Sequence, residues 1–130
     1  MTVSKLIAVI ALAGVAACTS PIEISKPRAV DYADAGSTAL FLTQGYVEAN
    51  PIIGSAGNAA PVAALGMKVV ARTLIDNSGA SDDQKATMNK FMSATSVGAT
   101  CNNLTLVAGA ANPALIGLLC FGGYMMVADE

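Results

Sequence analysis

The residues that could do chemistry are three acids followed along the chain by two bases. Asp31, Asp34 and Glu48 supply the carboxylates, and Lys68 and Arg72 supply the cations. The chain has no histidine, which excludes a Ser-His-Asp or Cys-His arrangement and the common zinc sites. Paired carboxylates alone are a weak sign of glycoside hydrolysis, and the chain has no tryptophan on which a sugar ring could stack. We therefore expect a protein that is not an enzyme and holds no metal and no cofactor.

The composition indicates a membrane-associated or very well buried chain. Of its 130 residues, 54% are hydrophobic and 12% are charged, whereas about 25% are charged in an ordinary soluble domain. The net charge is −2 and no run of basic residues occurs, so nucleic acid is not an expected partner. At this length we expect one domain with a small core.

The N-terminus has the layout of a secretory signal. Lys5 precedes an apolar run over residues 6–12, and small residues precede Cys18. The run is too short to span a bilayer, which takes about 20 residues. The sequence VAAC at residues 15–18 resembles the lipobox of bacterial lipoproteins, whose cysteine is acylated and becomes the first mature residue. This predicts a signal peptide over residues 1–17 and a palmitate-type anchor on Cys18. The alternative is an ordinary signal or an uncleaved anchor with a chance cysteine.

The lipobox resemblance also bears on location and partners. It implies attachment to membrane lipid through the acylated Cys18. Lipoproteins retained in the inner membrane carry Asp after the cysteine, and Thr19 stands there. The periplasmic face of the outer membrane is therefore slightly favoured over the inner membrane. Residues 18–27 contain two prolines and read as a short lipidated tether, and residues 28–130 are predicted to form a single helical domain.

The periodicity after the tether predicts an all-α fold, a small membrane-associated bundle of about four helices. Their approximate ranges are 28–47, 59–76, 82–97 and 103–127. Pro61 falls in the first turn of the second helix, where its missing N–H costs nothing. Ser81 and Gln84 form a capping box at the start of the third helix.

The last predicted helix is the most apolar part of the chain. Residues 104–127 contain no charge and are long enough to cross a bilayer. Its glycines and alanines suit the close packing of membrane helices, and a membrane helix tolerates a proline such as Pro113. A spanning helix is the favoured interpretation, although it conflicts with outer-membrane sorting. The alternative is a buried hairpin that breaks at Asn112 and Pro113.

Cys101 and Cys120 remain once Cys18 is assigned to lipid. In an exported protein such a pair suggests a disulfide. On one straight helix the two residues would lie about 28 Å apart, so a disulfide requires the chain to reverse between them. A disulfide and two buried free thiols both stay open, and a disulfide would contradict a continuous spanning helix.

The stretch DYADAGSTALFLTQGYVEANPIIG, followed by ALGMKVVARTLI, resembles a family of small bacterial and phage-associated membrane proteins of unknown function. The resemblance covers about residues 31–72. The matching positions are Asp31 or Asp34, Ser37, Thr38, Gly45, Glu48, Asn50, Pro51 and Lys68. A lipobox is not part of that family's pattern. The resemblance implies membrane character and brings no activity with it.

These matches suggest one polar cluster on the first two helices. Its predicted members are Asp31, Asp34, Thr38, Glu48, Asn50, Lys68 and Arg72. A carboxylate in lipid is costly and usually faces a partner, so the acids and bases could neutralise one another across an antiparallel helix pair. The favoured alternative is that both helices lie at an interface or in water and that these charges are solvated.

Three functions are compatible with this sequence. The first is a non-enzymatic, lipid-anchored envelope protein that acts through helix packing with itself or with an envelope partner. The second is a phage- or plasmid-encoded exclusion lipoprotein that blocks a receptor or an entry apparatus. The third is a small intramembrane carrier or ion pathway that uses the acids and Lys68.

Overall fold

The computed structural model of the protein describes residues 21–129, so the predicted signal peptide and Cys18 lie outside the described residues. Residues 21–129 are all-helical and contain no strand, which confirms the predicted all-α class. The helices are α1 (Ala29–Thr43), α2 (Pro51–Gly54), α3 (Ala60–Asp76), α4 (Asp82–Val107) and α5 (Pro113–Val127). A 3₁₀ turn over Gly57–Ala59 connects α2 to α3.

Helix α4 is the centre of the bundle, because it contacts α1, α3 and α5. The predicted capping box starts it: the Gln84 N–H donates to Ser81 Oγ at 3.3 Å, and the Ser81 N–H donates to Gln84 Oε1 at 3.0 Å. The predicted end at residue 97 is wrong, since α4 continues to Val107. The Thr100 and Thr105 hydroxyls donate to carbonyls one turn earlier, and packing against α5 outweighs the low helix propensity of this stretch.

The predicted single helix over residues 103–127 is also wrong, because the chain reverses between α4 and α5. Gly109 has a φ of 73°, and the Gly109 and Ala110 N–H groups donate to the Leu106 and Thr105 carbonyls. These two hydrogen bonds and the left-handed glycine form a Schellman motif, which ends α4. Asn112 then caps α5, its Oδ1 accepting the Leu115 N–H at 3.3 Å. Of the helices in residues 21–129, none is both long and apolar enough to cross a membrane.

One further boundary differs from the expectation. Helix α1 ends at Thr43 instead of residue 47, because Gly45 takes a φ of 84°, which favours glycine.

Part of the predicted tether, within residues 21–27, is hydrogen-bonded to the bundle. The Ser25 N–H donates to Thr73 Oγ1 at 3.1 Å, and the Glu23 N–H donates to the Asn77 side chain at 3.2 Å. The described part of the tether therefore lies along the end of α3.

Helices α4 and α5 approach each other closely at two glycines. A Cβ on Gly117 would lie 2.8 Å from the Gly98 carbonyl oxygen, and a Cβ on Gly98 would lie 3.0 Å from the Gly117 carbonyl oxygen. Three residues further along each helix, Cys101 and Cys120 are joined by a disulfide with their Cα atoms 6.5 Å apart. The reversal of the chain brings the two cysteines together.

We expect Gly117→Ala to lower the free energy of unfolding by about 1–3 kcal/mol, because the added methyl group meets backbone that cannot move independently. Gly122→Ala is the matched control on the same helix, where a Cβ would meet nothing within 4 Å. That control should raise stability by about 0.5–1 kcal/mol. Urea unfolding followed by circular dichroism measures both, and equal effects would contradict the close approach.

We expect removal of the disulfide by the double change Cys101→Ser and Cys120→Ser to lower the free energy of unfolding by about 3 kcal/mol. The reason is that a cross-link over a sequence separation of 19 restricts the unfolded chain by about that amount. Alkylation of the exported protein without reductant, followed by non-reducing electrophoresis, tests the bond itself. Modification of both Cys101 and Cys120 under those conditions would contradict it.

Candidate functional site

The interior of the bundle holds a buried ion pair between α1 and α3. Asp31 is fully buried and Arg72 is 1% exposed. Arg72 Nε donates to one carboxylate oxygen of Asp31 at 2.9 Å, and Nη2 donates to the other at 3.0 Å. This two-bond geometry is the strongest that a guanidinium and a carboxylate form. The favoured expectation of solvated charges is therefore wrong for this pair.

Helix α4 completes the hydrogen bonding of that pair. Arg72 Nη1 donates to the Asn89 carbonyl at 3.2 Å and to Asn89 Oδ1 at 3.1 Å, and Nη2 donates to Ser93 Oγ at 3.2 Å. Ser96 Oγ donates to Asp31 at 2.8 Å. Within residues 21–129, no buried side-chain nitrogen or oxygen lacks a hydrogen-bond partner. The charges are buried without leaving an unsatisfied group.

A second ion pair lies beside the first. Lys68 Nζ contacts the Asp34 carboxylate and also donates to Ser96 Oγ at 2.7 Å. Ser96 thus accepts from Lys68 and donates to Asp31, so its hydroxyl links the two pairs. Four of the predicted cluster residues form one continuous network together with side chains of α4.

The two carboxylates of this network differ in their electrostatics. Burial alone would raise the pKa of Asp31, but the hydrogen bonds from Arg72, the Arg28 N–H and Ser96, with the Arg72 charge, hold that pKa below its usual 3.8. Burial raises the pKa of Asp34 above 3.8 in spite of Lys68, and the negative charges of Glu48 and Asp31 add to the rise. Asp31 is therefore the acid that stabilises the fold in its ionised form.

The other three predicted cluster residues lie outside this network. Thr38 Oγ1 accepts a hydrogen bond from Asn103 at 3.2 Å. Glu48 accepts the Asn50 N–H at 2.9 Å, and Asn50 in turn caps α2 by accepting the Ile52 N–H at 3.0 Å. Glu48 and Asn50 thus order the start of α2.

Comparisons of this chain with protein-family models, with curated proteins and with solved structures find no match. The resemblance over residues 31–72 therefore stays a prediction.

Sequence reasoning missed the contribution of α4. Asn89, Ser93, Ser96 and Asn103 all contact residues of the predicted cluster. Their spacings of four, three and seven place them on one helix face. That spacing is visible in the sequence, but the apolar side chains of this helix and its early predicted end conceal the polar stripe.

The network opens at one side into a cleft between α3 and α5, which both lie against α4. Its volume is about 810 Å³, and we name it the α3–α5 cleft. Five predicted residues line its polar end: Asp34, Thr38, Glu48, Asn50 and Lys68. The walls farther along are formed by Met67, Met92, Leu118 and Phe121. Residues 21–129 contain no cluster of three or more metal-ligating side chains of His, Cys, Asp or Glu. The cleft joins charged groups to an apolar lining.

We expect Asp31→Asn to lower the free energy of unfolding by about 3–5 kcal/mol, since it leaves the buried Arg72 guanidinium without its counter-charge. Asp34→Asn is the matched control, with the same chemical change one helical turn away. It should cost about 1 kcal/mol or less, because Lys68 keeps its bond to Ser96. Urea unfolding of both variants measures the difference.

The pH dependence of the unfolding free energy of these two variants further distinguishes the roles of Asp31 and Asp34. The lowered pKa of Asp31 means that its contribution to stability is full above pH 3.8 and is lost as the pH falls through its folded-state pKa. The difference in unfolding free energy between wild type and Asp31→Asn should therefore shrink as the pH falls from about 3.8 through the folded-state pKa of Asp31. The raised pKa of Asp34 gives the opposite sign, so wild type gains on Asp34→Asn as the pH falls toward that pKa. Parallel pH profiles would contradict this assignment.

Proposed function

We propose that the protein is a non-enzymatic, lipid-anchored envelope protein that acts by packing its helices against another copy of itself or an envelope partner. The observation that carries this proposal is the distribution of side chains. The buried residues include the Asp31–Arg72 pair, while the buried hydrophobic residues among those described are Phe41 and three alanines. Large apolar side chains lie outside, which is the reverse of an ordinary soluble domain.

The exposed apolar residues are concentrated on α3 and α5. Val62 on α3 is 74% exposed, and Leu119 and Met126 on α5 are 65% and 81% exposed. Outside the residues that line the α3–α5 cleft, the exposed set on these two helices also includes Val70, Leu74, Leu115 and Val127. Large apolar surfaces of this kind mark contact with protein or membrane. We therefore assign the packing function to the outer faces of α3 and α5.

Two features support a location in the envelope. The lipobox predicts acyl chains on Cys18, each buried methylene of which contributes about 0.8 kcal/mol to membrane attachment. Bonding of residues 23 and 25 to α3 then keeps the bundle close to that anchor. The disulfide between Cys101 and Cys120 is of the kind that persists in oxidising compartments outside the cytoplasm. The outer membrane remains slightly favoured on the residue after Cys18.

The other two functions have less support. A carrier or ion pathway needs charges that are free to exchange, and Asp31 and Arg72 are instead closed on each other by two hydrogen bonds. The exclusion hypothesis stays a prediction, which phage or plasmid entry into cells expressing the protein would test.

We expect wild type to carry labelled acyl chains and to sediment with the envelope on a sucrose density gradient, and Cys18→Ala to carry no labelled acyl chains.

The packing is tested by chemical crosslinking in intact envelopes, where wild type should give species larger than the monomer. Leu119→Glu should reduce them by placing a charge on the apolar face. Gln44→Glu, which adds the same charge at an exposed polar position just after α1, should leave them unchanged. Recovery of monomer alone from wild type would contradict the proposal.

A further inference from the structure

We propose that the α3–α5 cleft binds a single-chain amphiphile with a protonated primary amine at its head. This inference does not depend on the proposed function, because it concerns a cleft within the bundle and not the outer helix faces. It has three supports: the charge at one end of the cleft, the apolar lining of the rest, and the volume.

The polar end of the cleft carries an excess of negative charge. Asp34 and Lys68 form an ion pair, and Lys68 is also bonded to Ser96, so these two charges offset each other. Glu48 adds a second carboxylate at the same end. No ion pair of Glu48 exists within residues 21–129. A positive head is therefore the charge that complements this end of the cleft.

An ammonium group also fits the hydrogen-bonding groups that line this end. It has three N–H donors and no acceptor. The acceptors in the lining include the Glu48 carboxylate, the Thr38 hydroxyl and the side-chain oxygen of Asn102. A carboxylate head would instead face the Glu48 carboxylate with like charge. The cleft thus selects against fatty acids and for amines.

The remaining lining suits a flexible apolar tail. Met67 and Met92 are unbranched side chains that adapt to irregular shapes, and Leu118 and Phe121 lie on the α5 side. Gly98 and Gly117 contribute backbone without side chains to the lining. The volume of about 810 Å³ falls within the range of about 300–1,000 Å³ that is usual for small-molecule sites.

The test uses the full chain in isolated envelopes and a decylamine that carries an aryl diazirine at the end of its tail. After photolysis, mass spectrometry locates the labelled residues. We expect saturable labelling of the apolar wall at Met67, Met92 or Phe121. Unlabelled decylamine should compete for this labelling, while decanol and decanoate at the same concentration should not.

Two pairs of variants separate specific binding from loss of structure. Glu48→Gln should reduce labelling at a subsaturating probe concentration by about fivefold, whereas Glu23→Gln, the same change outside the cleft, should not. Ala99→Leu adds bulk to the cleft wall and should also reduce labelling. Ala86→Leu, an exposed position on the same helix, should have no effect. Circular dichroism of each variant checks that it is folded.

Four results would overturn the proposal. The first is labelling that is spread over outer-face residues such as Val62 and Met126 without saturation. The second is equal competition by decanol. The third is unchanged labelling in folded Glu48→Gln and Ala99→Leu. Crosslinking of a second copy into the cleft that excludes the probe would also overturn it, since the occupant would then be a helix.

Discussion

The structure depends on the pairing of Asp31 with Arg72 inside the bundle. A buried carboxylate or guanidinium alone is costly, and the pair is tolerated only when its geometry is good and every remaining donor and acceptor is satisfied. Two parallel hydrogen bonds join the charges, and the Asn89 and Ser96 side chains on α4 complete the set. Because these groups come from three helices, the pair sets how α1, α3 and α4 are rotated against one another.

This constraint explains the composition of α4 on its inner face. A large apolar residue at position 93 or 96 would fill space but remove one hydrogen bond from Arg72, Asp31 or Lys68, and a buried donor or acceptor left unsatisfied costs more than a lost contact. Serine and asparagine are small and polar, so they allow close approach and supply hydrogen bonds at once. At Gly98, nearer the end of α4, the charged network has ended, and there the same helix meets α5 through backbone contact and the disulfide.

Local signals in the sequence predicted some of these elements well. The box of Ser81 with Gln84 and the proline in the first turn of α3 each specify a helix start through neighbouring atoms alone, so both starts were predicted within a residue. The orientation of α1 could not be obtained this way. The acidic residues of α1 are typical of a solvent-exposed face, and the sequence does not indicate that Arg72, 41 residues away in the chain, binds Asp31. The end of α4 at Gly109 was likewise hard to predict, because the residues around it are apolar and hydropathy carries no information about a glycine with positive φ.

The same constraint bears on why the apolar side chains lie outside. A bundle of four long helices has one small interior, and here the paired charges and their hydrogen-bond partners occupy it. Rotating α3 to bury Val62 or Val70 would withdraw Arg72 from Asp31 and replace a closed network with unpaired groups. The apolar faces of α3 and α5 therefore remain exposed, and burial of that surface would supply the free energy for the proposed packing contact. Under the proposed function, an acyl anchor would hold the bundle at a membrane, where such contacts would be available at high local concentration, so the proposed anchor and the exposed apolar faces would serve one function.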